Sequence, residues 1–251
     1  MLKINKAVDP PGEARTDIEI ICDLAHRLGR GQYFTYDSPR AVFDELRHAS
    51  RGGRADYYGI TYERLDDPAG IAWPCPSQDH PGTPRLFEDL RFGFPDGRAR
   101  FNPVTYEPPA EEPDDEYPYR LTTGRDVAHY LSGNQTRRLG YLTDQSPAPW
   151  AEVHPDTAAA HGITDGDAVR LTTRRGTTVL ATRVVRTIRP DTVFVPYHWA
   201  PPIAANQLTI SRFDPTSGIP NYKACAVKIE RSTDPATPVP IPPVPTGGSD
   251  T

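Results

Sequence analysis

Two textures of apolar and polar positions divide this chain. In TDIEIICDLAHRLG, the residues Ile18, Ile21, Cys22, Ala25 and Leu28 fall on one face at helical spacing. Thr16 and Glu19 stand at capping-box spacing before them and Gly29 follows as a stop, so a helix is predicted there. SPRAVFDELRHAS predicts a second helix, with Ser38 as cap, Pro39 at the first helical position, and Val42, Phe43 and Leu46 facing inward. From residue 59 to 101 the periodicity fails. Pro74, Pro76, Pro81 and Pro84 exclude regular structure across GIAWPCPSQDHPGTPRLF. FGFPDGRARF reads as a hairpin that turns at Pro95-Asp96-Gly97.

The run EPPAEEPDDE, residues 107–116, has Ala110 as its one apolar residue apart from prolines and reads as a linker. Beyond it the period changes to that of short strands: YRLTTG, DAVRLTTRRG, TTVLATRVVRTI, DTVFVPYHW and KACAVKIER. Asp165-Gly166, Arg175-Gly176 and Arg189-Pro190 punctuate them. One short helix is expected between them, at HPDTAAAHG, with Pro155 near its start and Gly162 as its stop. Short strands joined by tight turns predict a small β-barrel. The fold class expected is therefore α+β, with residues 1–106 forming a mixed helical and irregular segment before a barrel over 117–231.

Composition narrows the functional classes. A net charge of −5 and a pI near 5.8 argue against general binding to nucleic acid or anionic membranes. No run approaches the ~18 apolar residues of a membrane helix, and MLKINKAVDPPGEAR lacks the apolar core of a secretory signal. A cytoplasmic protein is the default expectation. Cys22, Cys75 and Cys225 lie far apart, too few for a four-thiolate cluster, and each reads as a small buried apolar residue. Asp165-Gly166-Asp167 is a turn signal rather than a metal site, and no metal ligand is assigned. The Pro-rich stretch 232–251, STDPATPVPIPPVPTGGSDT, is expected to be disordered.

One run escapes these patterns. LTTGRDVAHYLSGNQTRR, residues 121–138, leads out of a predicted strand into hydroxyls, a glycine and a guanidinium, then His-Tyr and Ser-Gly-Asn-Gln-Thr-Arg-Arg. Exposed backbone N–H groups beside a glycine, with an arginine that can grip two oxygens at once, suit a phosphate or a polar heterocycle. An ordinary strand-to-loop turn with a surface arginine would produce the same letters.

The order of motifs adds a resemblance. LTTGRDVAHYLSGNQTRR, then VHPDTAAAHGITDGDAVRLTTRRG, VFVPYHW, ANQLT and NYKACAVKIE, resembles the C-terminal cofactor-binding domain of molybdopterin-dependent oxidoreductases of the dimethyl sulfoxide reductase superfamily. The likeness extends over roughly residues 12–230 and includes GIAWPCPSQDHPGTPRLF and GFPDGRARF upstream. SGNQTRR with WPCPSQDHPGTPRLF most resembles assimilatory nitrate reductases, with formate dehydrogenase catalytic subunits close behind.

The resemblance implies a double-psi β-barrel that binds bis-molybdopterin guanine dinucleotide carrying molybdenum. It carries cofactor contacts onto Thr123, Gly124, Arg125, His129, Tyr130 and Ser132, then Tyr197, Asn206 and Lys223. It also implies that the 4Fe-4S cluster and the protein ligand to molybdenum belong to an N-terminal catalytic portion, which would be this chain's partner, with nitrate as substrate. Met1 stands just before AVDPPGEAR, a stretch that resembles the family's interior, so the chain is expected to be a piece that is inactive alone. A formate dehydrogenase portion, or a stand-alone barrel used as a binding module, are the alternatives. No residue here reads as a general acid or nucleophile, so no catalytic residue is assigned.

Overall fold

The computed structural model describes residues 1–236, which leaves most of the Pro-rich tail expectation outside the described residues. Two compact units divide between Pro103 and Val104. The division falls a few residues ahead of the stretch read as a linker, so EPPAEEPDDE lies within the second unit.

The first unit opens with α1 (Asp17–Arg27), whose Thr16–Glu19 capping box forms as expected. At the other end Gly29 adopts φ +70° and its N–H donates to the His26 carbonyl, while Arg30 N–H donates to Ala25, the paired bonds of a Schellman stop. The second helix, α2 (Pro39–Ala49), has Ser38 as its cap and Pro39 in its first turn. The expected inward face of α1 is only partly covered: Ala25 is buried, but Ile21 and Leu28 remain 52% and 69% exposed. The physical reason is the size of the available core, which consists of Ile60, Leu65, Ile71 and Cys75 with Phe43 and Tyr57 against it.

Arg64 knits the proline-rich stretch by donating to the carbonyls of Gly59 and His80 and to Cys75 Sγ, work that hydrogen-bonded secondary structure does elsewhere. FGFPDGRARF makes the turn but not the hairpin. Gly97 N–H donates to Phe94 and Phe92 N–H to Gly97, yet no strands pair on either side. The two arms lack a third strand or a shared apolar face to hold them.

The second unit is a closed barrel of β1 (Tyr119–Gly124), β2 (Trp150–Val153), β3 (Ala168–Thr172), β4 (Thr177–Val184), β5 (Thr192–Pro196) and β6 (Cys225–Arg231). Around the barrel the order is β1-β5-β2-β4-β3-β6. The β1/β5 and β2/β4 pairs are parallel and the other four antiparallel, the mixed crossing expected of a double-psi barrel. Five of the strands coincide with the strand-like pieces of the sequence. The sixth, β2, was not expected: it has four residues, WAEV, between Pro149 and Pro155, and neither Ala nor Glu favours strands. Beside the expected helix α4 (Pro155–Ala160) there is a further short helix, α3 (Gly140–Gln145).

Alternation on the strands drives closure. In β3 Val169 and Leu171 point inward, in β5 Val193 and Val195, in β6 Cys225, Val227 and Ile229, and all are essentially without solvent contact. The acidic stretch before β1 is fastened to this body. Glu111, its side chain 7% exposed, accepts from Arg174, Arg175 and the Ala226 backbone N–H, and Arg175 also donates to the Leu208 carbonyl. Burial alone would raise the Glu111 carboxyl, but these donors outweigh it and hold it below the usual range.

Replacing Glu111 with Gln is expected to lower barrel stability by about 1–3 kcal/mol, the scale of charged hydrogen bonds, reduced because both arginines reach solvent. With the native carboxyl depressed, the wild-type advantage is full above about pH 4.5 and fades as pH falls through the lower folded value. Urea melts of both proteins at pH 7 and pH 3.5 check this: the gap must shrink in acid.

Candidate functional site

The barrel positions a polar cleft at the ends of its strands. At the end of β1, Thr123 pairs with Val195 and Gly124 with Pro196, so the strand stops against the close of β5. A Cβ on Gly124 would stand 2.4 Å from the Phe194 ring, so only glycine permits this approach. Tyr197 N–H then donates to the Gly124 carbonyl at 3.2 Å. From the far end of the chain, Lys223 Nζ donates to the Thr123 carbonyl at 2.7 Å, while Thr123 Oγ1 donates to the Tyr222 carbonyl at 3.0 Å. The ammonium also lies 5.9 Å from the Tyr197 ring and 5.5 Å from that of Tyr222.

A cleft of about 620 Å³ opens beside this clasp. Four segments line it: Thr123 from β1, Leu131 and Ser132 from the following loop, Tyr197 after β5, and a stretch running from Asn206 to Tyr222. Of the nine residues singled out in the sequence, Thr123, Ser132, Tyr197 and Asn206 line the cleft together. Lys223 and Gly124 adjoin it through the bonds just described. Arg125 follows directly on Gly124 with its side chain exposed, and no hydrogen bond or ion pair engages it among the described residues. Tyr130 is 63% exposed and is not part of the lining. His129 is 2% exposed: Nε2 donates to the Ser146 carbonyl at 2.8 Å, and Nδ1 faces Thr136 Oγ1 at 3.1 Å. Both of its ring nitrogens therefore have protein partners, and its visible role is to hold the loop.

Sequence reasoning overlooked the wall from Thr209 to Tyr222. Asp214 organises it, accepting through Oδ1 from the N–H groups of Thr216 and Ser217, which keeps its carboxyl below the usual range. The turn brings Phe213 against Pro220 and both into the lining. DPTSG, with Gly218 at φ +70°, was the available signal. His198 was likewise not among the residues singled out in the sequence. It is fully buried, Nε2 accepts from Asp126 N–H at 2.8 Å, and Nδ1 donates to the Leu131 carbonyl. Leu131 itself is held at φ +47°, a conformation that costs a non-glycine residue on the order of 1 kcal/mol.

Hydroxyls and an amide in the lining and an ammonium adjoining it, with an exposed guanidinium on the residue after Gly124, suit a large, polar, anionic ligand with ring donors and acceptors. Two buried side-chain atoms of the same region, Asp126 Oδ2 and Arg137 Nε, lack a hydrogen-bond partner. Such a donor set fits a pterin bearing a nucleotide diphosphate. Among the described residues there is no group of three or more His, Cys, Asp or Glu side chains able to hold a metal ion, and no helix long and apolar enough to cross a membrane.

The class defined by fold and site is thus a closed double-psi barrel with a polar cleft at its strand ends. Residues 119–226 match the family described as "Molydopterin dinucleotide binding domain", so the barrel is a domain of that family, and over most of its length the chain is similar to molybdopterin-dependent oxidoreductases of the dimethyl sulfoxide reductase superfamily. It is 48% identical to the assimilatory nitrate reductase catalytic subunit of Bacillus subtilis, over 87% of this chain and 31% of that protein. It is 40% identical to F420-dependent formate dehydrogenase 1 subunit alpha of Methanococcus maripaludis, over 91% of this chain and 33% of the relative. The chain thus spans about a third of the length of these curated relatives. Its fold matches that of acetylene hydratase from Pelobacter acetylenicus with a TM-score of 0.62 at 22% identity, covering 90% of this chain and 34% of the other.

Gly124→Ala is expected to displace the Phe194 ring and cost about 1–3 kcal/mol. Thermal denaturation checks the loss, and restoration by a second change, Phe194→Leu, identifies the ring as the cause.

Proposed function

We propose that this chain forms part of the binding surface for bis-molybdopterin guanine dinucleotide in a nitrate reductase that converts nitrate to nitrite. The observation that carries the reading is the single cleft in which Thr123, Ser132, Tyr197 and Asn206 converge from separate segments of the chain. Thr123 and Gly124 set the backbone edge along which the ligand lies. Arg125 and Lys223 offset phosphate charge, Arg125 with a fork that engages two oxygens and Lys223 with the N–H donors left over from the Thr123 carbonyl. Ser132 and Asn206 supply polar contacts to ring atoms, and Tyr197 covers an aromatic face. His129 and Tyr130 belong to the same loop, His129 as its internal brace. When bound, the molybdenum cofactor supplies the two-electron oxygen-atom transfer, in which nitrate, two electrons and two protons give nitrite and water. The protein's contribution here is to bind and orient it.

The rest of the enzyme is the proposed partner: a catalytic N-terminal portion with the 4Fe-4S cluster and the protein ligand to molybdenum. Two features support it. The chain corresponds to about a third of each relative. Besides the partly bare face of α1, a cleft of about 740 Å³ in the first unit is walled by Trp73, Leu86, Phe87, Phe92 and Phe94, apolar surface in want of cover. A cytoplasmic location is part of the same proposal, and a Desulfovibrio desulfuricans relative named periplasmic nitrate reductase, 36% identical, makes cell fractionation its check. Formate as substrate is the second reading, favoured by the 40% and 42% identity to formate dehydrogenase alpha subunits over 91% of the chain.

The chain alone is expected to show no nitrate reduction with reduced viologen, and turnover by the isolated 251-residue protein defeats the proposal. Co-expressed with the N-terminal portion, the complex should reduce nitrate; formate-dependent dye reduction in its place selects the second reading. In that complex Arg125→Ala should lower molybdenum and guanine content at least threefold, and unchanged content removes Arg125 from the site.

A further inference from the structure

We infer that His198 is a positioning residue: its imidazole, bonded at once to the Asp126 N–H and the Leu131 carbonyl, clamps the 126–131 loop in the form that presents Ser132 to the cleft. The inference rests on the cofactor-binding reading of that cleft.

The two bonds fix the ends of one loop from one ring. A nitrogen that accepts from an amide N–H bears no proton, so Nε2 is bare and the proton sits on Nδ1, where a carbonyl can accept it. Few side chains combine a donor and an acceptor on opposite edges of a rigid plane in this way. The surrounding packing leaves the ring one place. His198 has no solvent contact, its ring centroid lies 5.6 Å from that of His129 and 5.7 Å from that of Trp199, and the Tyr197 ring lies at 4.7 Å, tilted by 45°. Its own carbonyl sits where a Cβ on Gly133 would approach to 2.8 Å, so the loop's return also closes on this residue. His129, braced by Ser146 and Thr136, supports the loop from within. The strained backbone at Leu131 is what such a clamp has to hold.

The clamp has a built-in sensitivity to acid. Burial, first of all, keeps the imidazole below its ordinary value, with His129 and Arg125 acting in the same direction and the Leu131 carbonyl and Asp126 opposing. Together with the Tyr197 phenol beside the ring, these are the titratable and charged groups shown to face it. Protonation at Nε2 would set one N–H against another at Asp126 and open that end of the loop. Since the unfolded histidine gains its proton near pH 6.5 and the native one only at lower pH, the clamp is complete above about 6.5 and is lost as pH falls through the native value.

Amide hydrogen exchange on the 251-residue chain reads the loop directly. In wild type, Asp126 is expected to be protected at pH 8 and to lose at least tenfold in protection by pH 5, after correction for intrinsic rates, while the β3 and β4 amides hold. In His198→Asn, which keeps a donor toward Leu131 but no acceptor for Asp126, the Asp126 amide should exchange at least tenfold faster at pH 8 and lose the pH step. In His198→Gln, which returns an acceptor, protection should recover in part and be independent of pH. Protection in wild type that is flat from pH 8 to 5 overturns the clamp, and that measurement needs no variant to fold. In the co-expressed complex, guanine and molybdenum content should fall at least threefold in His198→Asn. A loosened loop with unchanged content overturns the positioning role. Unchanged content in Asn206→Ala and Arg125→Ala as well shows instead that the cleft reading has failed.

Discussion

The pairing of β1 on both its edges is the constraint on which the second unit depends. On one side it runs parallel to β5, on the other antiparallel to β6, so a six-residue strand is tied to segments some seventy and a hundred positions further along the chain. This double pairing closes the barrel and removes its last free edge. It also delivers the end of β1, the residues after β5 and the residues before β6 to one place. The Thr123 carbonyl, left over where the ladder ends, is met by Lys223, and the Thr123 hydroxyl returns a bond to Tyr222. The cleft is therefore a by-product of closure, lined by what the strand ends leave unpaired.

Polar groups divide into two tasks around this cleft. Some, such as His129 and His198, are buried and have their main partners inside the protein; they hold irregular backbone where no ladder can. Others, such as Arg125, Ser132 and Asn206, reach solvent at or beside the cleft and keep bonding capacity in hand. A cofactor with a diphosphate and two ring systems requires the second kind of group, on a frame rigid enough that binding does not have to order it. The histidines supply that rigidity, and a loop carrying a left-handed leucine stays in place because its neighbours over-determine it.

The first unit follows another logic. Its helices have well-formed caps, yet its buried core consists of four residues, and much of the apolar face of α1 meets solvent. Good local signals without matching burial fit the proposal that further polypeptide covers much of this apolar surface. The length of the relatives agrees, since the chain matches about a third of each.

Local chemistry made much of this legible in advance. The Thr16–Glu19 box, the Gly29 stop, Ser38 and Pro39 at α2, and five of the six strands depend on neighbours within a few positions, and so could be read from the letters. The motif order likewise led to the dinucleotide-binding family. What the letters could not carry was long-range. β2 is a strand because β4 and β5 pair with it, not because WAEV prefers extension. FGFPDGRARF has a hairpin's turn but no sheet to join. His198 could be anything until folding placed the Asp126 N–H and the Leu131 carbonyl on its two nitrogens, and the Phe213–Pro220 wall became part of a cleft only when β6 met β1. Propensity and capping are settled by adjacent residues; pairing and enclosure are settled by residues far away in sequence, and only the closed barrel brings those together.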